Sequence, residues 1–207
     1  MSSQSSAETR TLPRPQLVLA STSPYRAALL ARLGLPFTTA APAVDEQALP
    51  GERAVDLVAR LAVAKACAVA ERVTAASLVI GSDQVALLDN TILGKPGTEA
   101  KARAQLARLS GREVRFLTGL CLLNTATGAR QVEVVETPVH FRVLSHNQIS
   151  DYVRREMPLD CAGAFKSEGL GIALFERIGG DDPNALIGLP LIVLCSMLRD
   201  QGVAVLG

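Results

Sequence analysis

The chain has no tryptophan, and Phe, Trp and Tyr together make up 3% of its 207 residues. So few aromatic faces exclude a stacking platform for single-stranded nucleic acid. An excess of either charge is also missing, since 21 Lys+Arg stand against 20 Asp+Glu for a formal net charge of +1. That balance excludes the broad basic face a polynucleotide needs. It leaves room for a small basic pocket holding a single anion. Histidine occurs only at His140 and His146, with no H-E-x-x-H and no G-x-S-x-G elbow, so neither a zincin site nor an elbow-borne Ser-His-Asp triad is present. There is no G-x-x-x-x-G-K-[ST] phosphate loop, and no G-x-G-x-x-G follows a strand. Cys67, Cys121, Cys161 and Cys195 form no C-x-x-C pair and read as reduced thiols. No apolar run approaches the ~20 residues needed to span a bilayer. The opening MSSQSSAETRTLPRP lacks the apolar stretch of a signal peptide. Residues 1–14 are expected to form a flexible polar leader, and the protein to be cytoplasmic, with no membrane and no nucleic acid as partner.

Hydrophobic residues make up 48% of the chain, enough for one domain or two tightly joined lobes. Leu17 to Ala20 suits a buried strand, after which Ser23 offers an N-cap, Pro24 a first helical position and Gly34 a stop. A second, alanine-rich helix is expected over 53–73. Leu78-Val79-Ile80 reads as a strand ending at Gly81-Ser82-Asp83-Gln84, with a hairpin following over 85–93. A helix over 98–109 follows, then two strands within 114–143 joined at Thr127-Gly128. Ser145 and Gln148 form a capping box for a helix that stops before Pro158. A strand at 172–175 and a last helix opened by Gly188-Leu189-Pro190 complete the chain. The interleaving predicts an α/β fold with a mixed, twisted sheet and flanking helices, with any boundary between lobes near 144–158.

Polar residues at the ends of apolar strands are where such sheets carry sites. Ser21-Thr22-Ser23 leads directly into a helix N-terminus, whose free amides and dipole suit an anion, and Arg26 lies one turn in. Plain capping by Ser23 accounts for part of that turn. Asp83 closes a buried strand, where a carboxylate binds metal or activates water, although a turn-forming Asp has the same look. Glu46 is a second carboxylate. Lys65 interrupts the apolar run 62–68, and Lys95 is pinned in Gly94-Lys95-Pro96. A single Lys is usually a solvated charge. Together, these residues are the inventory of metal-assisted phosphoanhydride hydrolysis.

Eight segments, in this order, resemble the Maf family of nucleoside triphosphate pyrophosphatases: LVLASTSPYR, VDE, LAVAKA, VIGSDQV, LGKP, LTGL, CAGAFKSEGLG and GDDPNALIGLPL. They reach from Leu17 to about Leu198, so residues 15–207 are expected to form a single domain of this family. The resemblance implies two lobes around a central cleft and cleavage between the α- and β-phosphates of a nucleotide. It implies a divalent cation, Mg²⁺ or Mn²⁺, and a homodimer. By position, Asp83 matches the catalytic proton acceptor, Ser21, Arg26, Lys65 and Lys95 the phosphate-side residues, and Glu46 with Asp83 the metal-side carboxylates.

Tyr25, Gln84 and Glu168 stand where the pyrimidine-nucleotide branch of that family has other residues, and are similar to the N7-methyl-GTP branch. The chemistry agrees, because N7-methylation makes guanine cationic. Tyr25 can then stack on it by a cation–π contact, and Glu168 can accept from its N1–H and amine. Two rival readings stand beside this one: a dTTP/UTP pyrophosphatase, and a non-catalytic nucleotide-binding regulator of cell division.

Overall fold

The structure is a computed structural model describing residues 15–206. The expected leader lies outside the described residues. Strand β1 (Gln16–Leu19) runs into helix α1 (Pro24–Ala31), capped by the Ser23 side chain with Pro24 in its first turn. Strand β2 (Phe37–Thr39) returns parallel to β1, and helix α2 (Ala54–Ala70) crosses over to β3 (Ser77–Leu88), also parallel to β1. From β3 onward the pairing is antiparallel. Strands β4 (Thr91–Leu93) and β5 (Glu113–Asn124) both pair with β3, with helix α3 (Glu99–Leu109) between them. Strand β6 (Arg130–Phe141) pairs with β5, and β7 (Phe175–Ile178) with the end of β6. Helix α4 (His146–Glu156), started by the Ser145–Gln148 capping box, and helix α5 (Leu191–Asp200) complete the fold. The result is a seven-stranded mixed sheet of order β2-β1-β3-β5-β6-β7, with β4 beside β3.

Alternation along the two longest central strands explains where the cleft lies. On one face α2 packs against Val79, Val85 and Leu87 of β3 and Leu117 and Cys121 of β5. On the other face two cores form. Helices α1 and α5 cover Leu78, Ile80, Leu120 and Leu122, while α3 and α4 cover Ala86, Leu88, Val114 and Phe116. Between these cores the same face carries Ser82, Gln84 and Thr118 in place of aliphatics. Period-two patterning thus builds two lobes on one sheet, with a polar gap at the seam.

Two expectations need correction. Gly81-Ser82-Asp83-Gln84 does not end a strand, because these residues continue the ladder of β3 opposite Cys121 to Thr118. Their glycine serves a close approach instead of a turn. A Cβ on Gly81 would lie 2.1 Å from the Ala62 carbonyl oxygen, and one on Gly119 would lie 2.2 Å from that of Val58, so both glycines let α2 press onto the sheet. The strand expected at 172–175 is a 3₁₀ turn over Leu170–Leu174, followed by β7. The scarce aromatics are concentrated nearby. Phe116, Phe141, Phe165 and Phe175 meet edge to face at 4.8–5.6 Å, locking the segment after α4 onto the sheet.

Candidate active site

Because α2 is pressed onto β3, its Lys65 is held almost wholly inside the protein, where a lone ammonium would be costly. It is not alone. Its Nζ donates to Asp83 Oδ1 at 2.6 Å and lies 2.5 Å from Glu46 Oε1, so two carboxylates converge on one nitrogen. The shifts of these two acids diverge. Burial pushes the Asp83 carboxyl above its ordinary value, against the opposing pull of Lys65 and Arg26. The hydrogen bond from Lys65, together with the charges of Lys65, Lys95 and Arg26, holds Glu46 below its ordinary value. A basic, ionisable carboxylate beside a firmly anionic one suits proton abstraction next to cation binding.

Glu46 sits on a loop that α2 and the turn after it strap down. Arg60 donates to Glu52 at 2.6 and 2.8 Å and to the Gln47 carbonyl at 3.0 Å, while Arg72 reaches the Ala41 carbonyl. Across the cleft, Ser21 follows β1 and accepts from the Ser23 amide at 3.1 Å, which shapes the entry to α1. Arg26 is oriented by its Nε bond to the Gly188 carbonyl at 2.9 Å. Burial depresses its guanidinium and the charges of Asp83 and Glu46 oppose that.

The cleft has a volume of about 430 Å³ and is lined by Ser21, Tyr25, Arg26, Glu46, Lys65, Gln84, Lys95 and Glu168. Asp83 lies directly behind Lys65. All nine residues singled out in the sequence therefore come together, from α1, α2, β3 and four loops. Asp83 and Gln84, adjacent in β3, point to opposite faces of the sheet: Asp83 to α2, Gln84 to the seam between the two cores. The two ends of the cleft differ in character. Arg26, Lys65 and Lys95 make one end cationic. These three cations surround Glu46 and Asp83 there, whereas Tyr25 lies among Asp160, Glu168 and Lys166, and Phe116, Phe165 and Leu186 add apolar lining. Burial raises the Tyr25 hydroxyl, with Lys166, Cys161, Glu168 and Asp160 near enough to act on it.

Several groups that hold the site are not evident from residue type alone. Asp182 is buried, accepts from the Ile192 amide in the first turn of α5 at 2.6 Å, and also accepts from the Asn184 amide at 3.0 Å. Tyr152 accepts from the Lys166 amide at 3.0 Å, and Glu156 from the Leu170 amide at 2.8 Å, so α4 fixes the loop that carries Glu168. Thr118 is fully buried and bonds to the Ala185 carbonyl. The one sequence signal for Thr118 is a hydroxyl in an otherwise apolar strand position.

Among the described residues no three His, Cys, Asp or Glu side chains gather as a metal cluster. Glu46 Oε1 and Asp83 Oδ1 are taken by the Lys65 nitrogen, and the second oxygen of each carboxylate is a hard donor of the kind that suits a cation keeping water and taking its remaining ligands from phosphate. The four cysteines are free thiols. No helix among the described residues is long and apolar enough to cross a membrane.

A 7-methyl-GTP pyrophosphatase of Nitrosococcus oceani is 56% identical over 192 residues, covering 93% of this chain and 96% of that protein. Among solved structures, the Ham1 protein of Staphylococcus aureus matches with a TM-score of 0.52 at 13% identity, over 90% of this chain and 99% of the other, a likeness of fold. The profile of the Maf-like protein family matches residues 16–201, nearly the whole described chain, and the chain belongs to that family.

Proposed function

We propose that this chain is a nucleoside triphosphate pyrophosphatase that hydrolyses N7-methyl-GTP to N7-methyl-GMP and pyrophosphate. One observation carries the proposal: a single cleft gathers Arg26, Lys65 and Lys95 in one part and Tyr25 with the carboxylates of Asp160 and Glu168 in another. A substrate with an anionic triphosphate and a cationic base has that same polarity. The high identity to a relative named for this substrate supports the choice of base.

In this reading Arg26, Lys65, Lys95 and the Ser21 turn bind the triphosphate. Asp83 takes the proton of the attacking water as its oxygen bonds to phosphorus. The α–β P–O bond breaks, and pyrophosphate leaves with the electron pair. Burial raises the Asp83 carboxyl, the direction that favours it as a proton acceptor in this step. Glu46 and Asp83 would hold a divalent cation, Mg²⁺ or Mn²⁺, which when bound offsets phosphate charge. Tyr25 stacks on the methylated ring, and Glu168 accepts from its donor edge. Residues 15–207 act as one catalytic unit, cytoplasmic and homodimeric.

The test is pyrophosphate release from N7-methyl-GTP, GTP, UTP and dTTP with Mg²⁺ or Mn²⁺. Preference for N7-methyl-GTP is expected, and replacing Glu168 by Gln should lower that preference about tenfold. Preference for UTP and dTTP would instead place the chain in the pyrimidine branch. Absence of any turnover would leave a nucleotide-binding regulator.

A further inference from the structure

The seam between the two cores contains a hydrogen-bond arrangement with a fixed direction. Ala185 and Leu186 offer backbone carbonyl oxygens, which only accept. Gln84 Nε2 lies 2.8 Å from the first and 3.1 Å from the second. The Thr118 hydroxyl lies 2.9 Å from the same Ala185 oxygen and 2.9 Å from Gln84 Nε2. Its single proton is therefore committed to Ala185, and it meets the glutamine with a lone pair. Both amide protons of Gln84 are taken up by this set. Turning the amide over would set Oε1 against two carbonyl oxygens and a hydroxyl that has no proton left to give. The orientation follows from the partners and needs no further assumption.

Gln84 Oε1 is thus the polar atom of this side chain with no partner among the described residues, and the side chain lines the cleft beside Phe116 and Leu186. We propose that Thr118 is a positioning residue for base selection: with the Ala185 carbonyl it holds Gln84 so that the cleft meets an acceptor only, and this acceptor selects the donor edge of guanine. Guanine presents an N1–H and an amine side by side, whereas uracil and thymine flank their one N–H with two carbonyl oxygens. A fixed Gln84 acceptor and the Glu168 carboxylate, which line the same cleft, can share guanine's two adjacent donors, whereas uracil and thymine have one N–H for them and turn a carbonyl oxygen to the other. Thr118 touches neither substrate nor reacting atoms in this account, since it is fully buried and acts through Gln84. The inference rests on the nucleotide-hydrolysing function proposed above and specifies how the base is read.

The experiment compares wild type with Thr118→Ser and Thr118→Val, measuring kcat/KM for pyrophosphate release from N7-methyl-GTP and from UTP. Valine keeps the shape of threonine but cannot donate to Ala185 or accept from Gln84, so the amide loses one of its three partners and is held less firmly in the pose that presents Oε1 to the cleft. The ratio of N7-methyl-GTP to UTP should fall about tenfold in Thr118→Val, the scale of one misplaced hydrogen bond, and stay near wild type in Thr118→Ser. A merely structural role would lower both substrates together and leave the ratio unchanged, and that result overturns the inference. Should the valine variant fail to fold, Thr118→Ala removes the hydroxyl without adding bulk and carries the same expectation. Wild type that releases pyrophosphate while every folded variant keeps its ratio refutes the role of Thr118 alone. Wild type that turns over no nucleotide refutes the functional reading and this inference with it.

Discussion

Lys65 on α2 donates to Asp83 on β3 at 2.6 Å, and this contact joins the cationic part of the cleft to a carboxylate that burial raises. An ammonium so placed keeps Asp83 ionisable in a buried setting, and burial keeps it reactive once ionised.

Asp83→Asn should therefore fold, because Lys65 retains Glu46, yet lose turnover by about 10²-fold or more. Steady-state kinetics with a circular-dichroism check of folding tests this, and a variant with near wild-type turnover removes Asp83 from the proton-transfer role.

The pH dependence has a definite sign. Asp83 acts as a base only when ionised, and its carboxyl is raised, so the acidic limb of kcat/KM should lie above the ordinary carboxylate range. The charge of Glu46 contributes to that rise. Glu46→Gln should lower the rate and move the acidic limb to lower pH, measured at saturating metal. A limb displaced upward contradicts the coupling.

Tyr25 has stacking consequences separate from the phosphate chemistry. Tyr25→Leu should reduce the preference for N7-methyl-GTP over GTP by about fivefold, and Tyr25→Trp should raise it, as expected for a cation–π contact. Competition between the two nucleotides in one reaction reads the ratio directly.

The close approach of α2 is testable by adding one methyl group. Gly81→Ala places a Cβ 2.1 Å from the Ala62 oxygen, and should cost about 1–3 kcal/mol and displace Lys65 with loss of turnover. Gly94→Ala meets nothing within 4 Å and should leave the unfolding midpoint unchanged. Urea denaturation of both variants makes the comparison.

Asp182→Ala leaves the Ile192 and Asn184 amides without their acceptor, a loss of about 1–3 kcal/mol in unfolding free energy. Asp182→Asn keeps one acceptor oxygen and should lose less.

Local chemistry made most elements legible: the Ser23 and Ser145 caps, Pro24, and the end of α4 before Pro158 all act as their residue types suggest. The nine candidate residues were legible by residue type and by family resemblance, and the fold brings them together. The course of β3 was not, because Gly-Ser-Asp-Gln has the composition of a turn. Only pairing with β5 and packing against α2, both remote in sequence, reveal a continuous strand. Asp182 was obscure for the same reason. Its partners are the Asn184 amide and the first turn of a helix ten residues on, and a charged loop gives no sign of either.

The strand pleat has one last consequence. Asp83 and Gln84 are covalent neighbours, yet one governs bond cleavage in the proposed reaction and the other reads the base, with the thickness of the sheet between their side chains. A single residue deleted upstream in β3 would bring the Gln84 amide into the place of Asp83 against Lys65, and a single residue inserted there would bring the Asp83 carboxylate into the place of Gln84 against the carbonyls of Ala185 and Leu186. Reaction and selectivity would fail together. Length in this strand is therefore under stricter constraint than identity at most of its positions, and a residue inserted between Ser77 and Asp83 would have to be matched by one deleted there.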